Sequence, residues 1–270
     1  MTFSDTFLRL DNKLAVVTGA AGIIGSVIAR QLQAYGARVA LVDIDAERLD
    51  AVEAETPDRQ QVRAFRCDLS DAEAITSTVE AINAWSGGID ILFNNAATKT
   101  EKLERFFDPV DEYTLETWRE VMAVNADGLF VMARECAKSM RRQGGGSIVQ
   151  TASIYGAMAP DMRIYEGSEY LGRQINTPPI YAASKGAVIA LTRYLAALWA
   201  SDGIRVNTIS PGGVSSGQNG VFHEQYRARV PMARMAEARE IADAALFLAS
   251  PAASYITGQN LMVDGGLSIW

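Results

Sequence analysis

A single histidine, His223, and two cysteines, Cys67 and Cys136, are all this 270-residue chain holds of the side chains that most often bind transition metals. The cysteines lie inside apolar stretches without metal-ligand spacing, so the sequence predicts no metal site, buried thiols and a reducing compartment. Positive charge is also short: 25 basic against 32 acidic residues give a net charge of -7 with no basic cluster. Duplex nucleic acid and an anionic membrane surface are thereby excluded as main partners. No apolar run approaches the ~20 residues that span a bilayer. The segment Met1 to Lys13 carries Asp5, Arg9, Asp11 and Lys13 and has neither the hydrophobic core nor the cleavage site of a leader. A cytoplasmic protein acting on small molecules is what remains. With 49% hydrophobic residues the chain can bury the core of one large α/β domain, two small domains being the alternative.

What the chain does offer is Tyr181 followed four residues later by Lys185, about one helical turn, so that phenol and ammonium share a face. A fixed positive charge within a few Å favours the phenolate and brings a group that titrates near ~10 within reach of neutral chemistry. That is the requirement for a general acid and base. The spacing recurs by chance on many helices, and its context gives it meaning. Thr177 offers a helix cap, the prolines at 178 and 179 suit a first helical position, and Ala182 to Ala200 is small and apolar at helical spacing.

Short apolar runs alternate with helical stretches through the rest of the chain. Leu14–Thr18 reads as a strand, Gly19, Gly22 and Gly25 as a glycine turn, and Val27 to Leu32 as the following helix. Such a turn lets the backbone approach a diphosphate, whose charge meets the free amides at the helix start. Arg38–Asp43 is a second strand, ending in an acid about 20 residues past the turn, where a ribose-binding carboxylate belongs. The alternative for Asp43 is a helix-capping acid. No Arg or Lys stands at 42, 44 or 45, and the carboxylate would repel a 2′-phosphate, so NAD is expected over NADP. Further strands are read at 62–67, 89–93, 146–151, 204–209 and 261–263, with a capping box over Ser70 to Glu73 and a helix over Ile241 to Leu248. Leu115 to Arg142 reads as one long helix with Asn125 on its apolar face, and Thr98 to Tyr113 as a loop. Strands separated by helices mean right-handed βαβ units, hence a parallel sheet in one α/β domain over residues 1–270. Ser153 follows the fifth strand, at the sheet end where open α/β folds place their sites.

Thr18-Gly19 with Gly22 and Gly25, Asp43, Asp68-Leu69, Asn94-Asn95-Ala96, Asn125, Ser153, Tyr181 with Lys185, and Pro211-Gly212 follow one another in the order and near the spacings of the classical short-chain dehydrogenases/reductases. The chain resembles that family over nearly its whole length. The resemblance implies a Rossmann-type, doubly wound sheet of seven parallel strands, a nicotinamide cofactor and a homotetramer. It implies Tyr181 as proton donor or acceptor, Lys185 holding the nicotinamide ribose and lowering the pKa of Tyr181, Ser153 positioning the substrate oxygen, and Asn125 holding a water that links Lys185 to solvent. By the same resemblance Gly19, Gly22, Ile24 and Gly25 meet the diphosphate and Asp43 the adenine ribose. Asp68 and Leu69 meet the adenine, Asn94, Asn95 and Ala96 the ribose side, and Pro211, Gly212, Gly213 and Val214 the nicotinamide.

Three departures stand out. The glycine spacing is nearer that of the extended, sugar-nucleotide branch, and Ala97 replaces the usual glycine after Ala96. The separation of Ser153 from Tyr181 is more than twice the usual one, so residues at about 155–177 form an insertion, with a lid expected at about 213–235. Tyr165 lies nearer the customary distance, but Glu169 stands where its lysine would be. The insertion offers Asp161, Arg163, Glu166, Glu169 and Arg173, and the lid Gln218, Asn219, His223 and Gln225. Such groups suit a polyhydroxylated substrate and disfavour a plain acyl chain; the alternative is a solvated loop or a subunit contact. The run from Tyr155 to Gly167 resembles gluconate- and sugar-type oxidoreductases of the family. An NAD-dependent sugar, polyol or sugar-acid oxidoreductase is therefore expected. A 3-oxoacyl-type reductase, a nucleotide-sugar dehydratase or epimerase, and a non-catalytic NAD-binding protein are the alternatives.

Overall fold

Apolar runs bounded by glycine or acid become the strands of the computed structural model, which describes residues 7–56, 58–100, 102–170 and 172–270, the side chains of Arg59, Tyr170 and Arg173 excepted. Asp5 lies outside the described residues. In chain order the main elements are β1 (Leu14–Thr18), α1 (Ile23–Ala34), β2 (Arg38–Asp43), α2 (Ala46–Ala54), β3 (Val62–Arg66), α3 (Ala72–Ser86) and β4 (Ile91–Asn94). They continue with α4 (Leu103–Phe106), α5 (Leu115–Met122), α6 (Leu129–Arg142), β5 (Gly146–Thr151), a small hairpin of β6 (Glu169–Tyr170) and β7 (Arg173–Gln174), and α7 (Pro179–Trp199). β8 (Ile204–Pro211), α8 (Gly220–Arg227), α9 (Ala238–Ala249) and β9 (Asn260–Val263) complete the chain. No described helix is long and apolar enough to cross a membrane.

Seven strands form one parallel sheet in the order β3-β2-β1-β4-β5-β8-β9, the Rossmann-type arrangement expected. One face buries Val17, Leu41 and Phe93 against α1 and α9, and the other buries Val16, Leu92 and Ile148 against α3, α6 and α7. Chain progression reverses between β1 and β4, which opens a crevice at the carboxyl ends of these strands. Thr18 latches that point: its Oγ1 accepts from the amides of Asn95 (3.0 Å) and Ala96 (3.1 Å). Asn94, read as a ribose contact, is buried instead; its Nδ2 donates to Leu129 O at 2.7 Å, so it braces the sheet from within.

The glycine turn is a packing device as much as a binding one. Gly19 has φ +66°, and a Cβ there would lie 2.8 Å from Ala96 Cα; one on Gly25 would lie 2.0 Å from Gly19 O. Three local readings need correction. Asp71, not Ser70, caps α3, since its carboxylate accepts from the Glu73 and Ala74 amides while the Ser70 hydroxyl donates to Asp68. The long helix is broken by a π turn over Ala123–Gly128, an insertion that leaves the apolar periodicity on either side intact. Thr177 does not cap α7: Pro178 occupies the cap position and Pro179 begins the helix, which frees the Thr177 hydroxyl for a distant partner.

Candidate active site

The crevice at the strand reversal is lined by Gly19, Gly22, Ile24, Asp43, Asn95, Ala96 and Val214, and its floor continues past Asp68 and Leu69. Helix α1 enters it with no side-chain cap and no acid in its first turn, so its amides and positive dipole end are left for an anion. Asp43 is held at the rim by the Ala21 amide (3.0 Å) and the Asp45 amide (3.2 Å), which aims its remaining lone pairs outward. An anion-ready helix end beside a fixed carboxylate fits a diphosphate joined to a ribose diol. Gly25, Pro211 and Lys185 do not line this crevice; Gly25 packs beneath the turn, and Pro211 closes β8. Arg48 does line it, with its Nε 3.3 Å from Asp45 Oδ2. A cation one helical turn past the acid was outside the positions compared in the sequence, and the i, i+3 spacing from Asp45 is the signal that would have found it.

The catalytic candidates converge where β5 ends. Lys185 is 3% exposed, and its Nζ donates to Thr151 O at 2.8 Å while lying 5.9 Å from the Tyr181 ring centroid. Ser153, 5% exposed, lies beside the Tyr181 phenol, and its Oγ accepts from the Tyr155 amide at 3.3 Å. Burial pushes the Tyr181 phenol above its ordinary range, and the Ser153 hydrogen bond opposes that. Burial alone brings the Lys185 ammonium down to about 8. In this geometry the ammonium faces the Thr151 carbonyl, and burial is the first cause of the shift of both groups. Asn125, buried in the π turn, accepts from the Thr98 amide at 2.8 Å and donates to Ser184 Oγ at 3.5 Å. It ties the loop after β4 to α7.

Ser153 and Tyr181 open onto a cavity whose walls come from the segment 155–177 and from the chain around α8. Tyr155, Tyr165, Ile175, Asn176 and Thr177 line it from one side, and Gly212, Gly213, Gln218, Phe222 and Tyr226 from the other. Lys99 and Ser216 line both this cavity and the crevice, so the two adjoin. The charged residues of the insertion point elsewhere. Arg163 and Arg229 both pair with Asp161, at 2.8 and 2.6 Å, and those ion pairs and hydrogen bonds hold the Asp161 carboxyl at about 2. Glu166 and Glu169 are exposed away from the cavity, and the Arg173 side chain lies outside the described residues. Of the lid residues, Gln218 lines the cavity, Asn219 caps α8, Gln225 donates to Glu166 O at 2.9 Å, and His223 is half-buried off the cavity. Insertion and lid are one packed body: Ile164, Tyr165 and Ile175 share a core with Phe222, Tyr226 and Val230. Charge dominates the sequence of this segment, and nothing in it singles out Ile164, Ile175 or Phe107.

Residues 19–268 match the profile of the family described as Enoyl-(Acyl carrier protein) reductase. The chain is 40% identical over 274 residues to the galactitol 2-dehydrogenase (L-tagatose-forming) of Cereibacter sphaeroides, covering 98% of each chain. It is 38% identical over 271 residues to the D-threitol dehydrogenase of Mycolicibacterium smegmatis, covering 98% of this chain and 96% of that one. The crystal structure of a gluconate 5-dehydrogenase from Burkholderia cenocepacia, in complex with NADP and tartrate, superposes with a TM-score of 0.85 at 30% identity over 97% of this chain and 98% of that one. With the seven-stranded sheet and the adjoining crevice and cavity in place, these likenesses make the chain an oxidoreductase acting on CH–OH groups, a member of the short-chain dehydrogenase/reductase family.

Proposed function

We propose that the chain interconverts a secondary alcohol and a ketone on a sugar, polyol or sugar acid with NAD(H), and that Tyr181 is its proton-transfer group. The observation that carries this reading is the convergence of Ser153 and Tyr181 on a cavity that adjoins the crevice at the strand reversal, with Lys185 behind them. When bound, the nicotinamide supplies the hydride acceptor or donor. Tyr181 takes the hydroxyl proton in oxidation and returns it in reduction, while Ser153 holds the substrate oxygen beside it. Lys185 places positive charge behind the phenol below about pH 8, where its ammonium is protonated. Asn125 is a positioning residue, and its water link to solvent belongs to the same proposal. Gly19, Gly22 and Ile24 are assigned to the diphosphate, Asp43 to the adenine ribose, Asp68 and Leu69 to the adenine, and Gly212 and Val214 to the nicotinamide side. The hydroxyls and amides of Tyr155, Tyr165, Asn176 and Thr177 in the cavity wall support a polyhydroxylated substrate over an acyl chain. The buried thiols of Cys67 and Cys136 support a cytoplasmic location.

A spectrophotometric panel of sugars, polyols and sugar acids with NAD⁺, and of their keto forms with NADH, tests the reading. Turnover is expected on at least one polyol, and Tyr181→Phe is expected to lose roughly 10²-fold or more of it while NADH affinity stays near the parent value. A Tyr181→Phe enzyme with parental turnover would overturn the assignment.

Cofactor choice follows from Asp43. A half-buried carboxylate at the ribose disfavours a 2′-phosphate by about 1–3 kcal/mol through like-charge repulsion and desolvation. Titration should therefore give tighter binding of NADH than of NADPH, and equal affinities would remove the basis for NAD. The homotetramer is supported by the outward face of α7, where Tyr194 is 66% and Leu198 53% exposed beside exposed Ala183, Ala190 and Ala197. Light scattering at micromolar concentration should give four times the 29.2 kDa chain mass, and a monomer mass would refute it.

A further inference from the structure

Three hydroxyls in the cavity wall form a chain that proton transfer at Tyr181 does not use. Thr177 Oγ1 lies 2.6 Å from the Tyr165 hydroxyl oxygen, which lies 3.2 Å from that of Tyr155. Each hydroxyl brings one proton, so three protons serve two bonds and one is left over. Thr177 donates to Tyr165 and Tyr165 donates to Tyr155, so the spare proton sits at Tyr155 and Thr177 keeps an uncommitted acceptor lone pair. Both ends line the cavity onto which Ser153 and Tyr181 open, and among the described residues neither of these two hydroxyls has another side-chain partner.

The chain is fixed in place from behind. The Tyr165 ring is 9% exposed and packs against Phe222 with centroids 5.7 Å apart. The Tyr155 backbone is tied to Ser153 Oγ, and Thr177 stands immediately before the two prolines that open α7. Burial pushes the Tyr155 and Tyr165 phenols above their ordinary range, so both stay protonated through the pH range in which a dehydrogenase works. A neutral donor and a neutral acceptor are thus presented together on a rigid wall.

We propose that Tyr155 and Thr177, coupled through Tyr165, are specificity residues that read a second hydroxyl of the substrate, one end donating to it and the other accepting from it. This rests on the reading of the cavity as the secondary-alcohol site. A hydroxyl is the group that can satisfy both ends at once, being donor and acceptor in one atom. An alcohol with an alkyl group at that place leaves the spare proton and lone pair without partners in a desolvated wall, and sites of that kind discriminate strongly against the deoxy analogue.

The test compares kcat/KM for a four-carbon tetritol and for 2-butanol in the parent enzyme and in Tyr155→Phe, Tyr165→Phe and Thr177→Val, each close in volume to the residue replaced. The polyol-over-monoalcohol ratio should fall about 10- to 100-fold in Tyr155→Phe and Thr177→Val, with the loss carried mainly in KM for the tetritol. Tyr165→Phe, which unties both ends without removing either, should give a smaller fall in the same direction. A merely structural role would depress kcat for both alcohols together and leave the ratio within twofold of the parent in all three variants, and that result overturns the inference. A parent enzyme that oxidises neither alcohol class with either nicotinamide cofactor overturns the functional reading and this inference with it. Parent activity with an unmoved ratio overturns the inference alone.

Discussion

The hydrogen bond from Lys185 Nζ to the Thr151 carbonyl is the contact on which the rest of the site depends. It joins α7 to the last residue of β5, and so fixes the Tyr181 ring against the end of the sheet, within reach of Ser153 on the next stretch of chain. Taking an ammonium out of water costs several kcal/mol, and one carbonyl returns only part of it. The depressed pKa of Lys185, about 8 against 10.5 in the unfolded chain, is the sign of that imbalance. The unfolded state binds the proton more tightly, so this group lowers stability at neutral pH, and the deficit is recovered as pH rises from about 8 toward 10.5. Stability is given up to hold the Lys185 ammonium behind the Tyr181 ring.

Around this fixed point the cavity roof is a separate construction. The insertion reaches the lid through the shared core of Tyr165, Phe222 and Tyr226, through the Asp161–Arg229 ion pair, and through Asn219 and Gln225, which donate to backbone carbonyls of Gly167 and Glu166. Tyr165, Phe222 and Tyr226 also line the cavity onto which Ser153 and Tyr181 open. The surface charges of the insertion, Arg163 included, serve its attachment and solvation, while its hydroxyl and amide groups face the cavity.

The strands and the placing of Tyr181 and Lys185 on one helix were legible in the sequence because each is a local pattern. Leu14–Thr18 is apolar and bounded by Gly19, and one helical turn separates Tyr181 from Lys185. The place of Asp43 at the end of β2, beside the glycine turn, was legible for the same reason, since both lie in one βαβ unit. What escaped depends on partners far apart in sequence. Thr177 reads locally as a cap, yet its hydroxyl serves Tyr165 because Pro178 already holds the cap position. The π turn at Asn125 adds no residue type that an α-helix would refuse. Ile164 and Ile175 show neither strand nor helix period, because what buries them is α8, more than forty residues downstream. Net charge and polarity misdirected the reading of that segment, since a charged side chain beside a site can face solvent as easily as substrate.

The central claim is that one group, Tyr181 under the influence of Lys185, moves the proton in both directions, and the pH dependence of kcat/KM in both directions tests it most directly. Because the base form is needed for alcohol oxidation and the acid form for ketone reduction, oxidation should rise with pH and reduction should fall, with a common apparent midpoint belonging to the coupled pair. Profiles that are flat across that range, or whose oxidation and reduction limbs run in the same direction, would contradict the account.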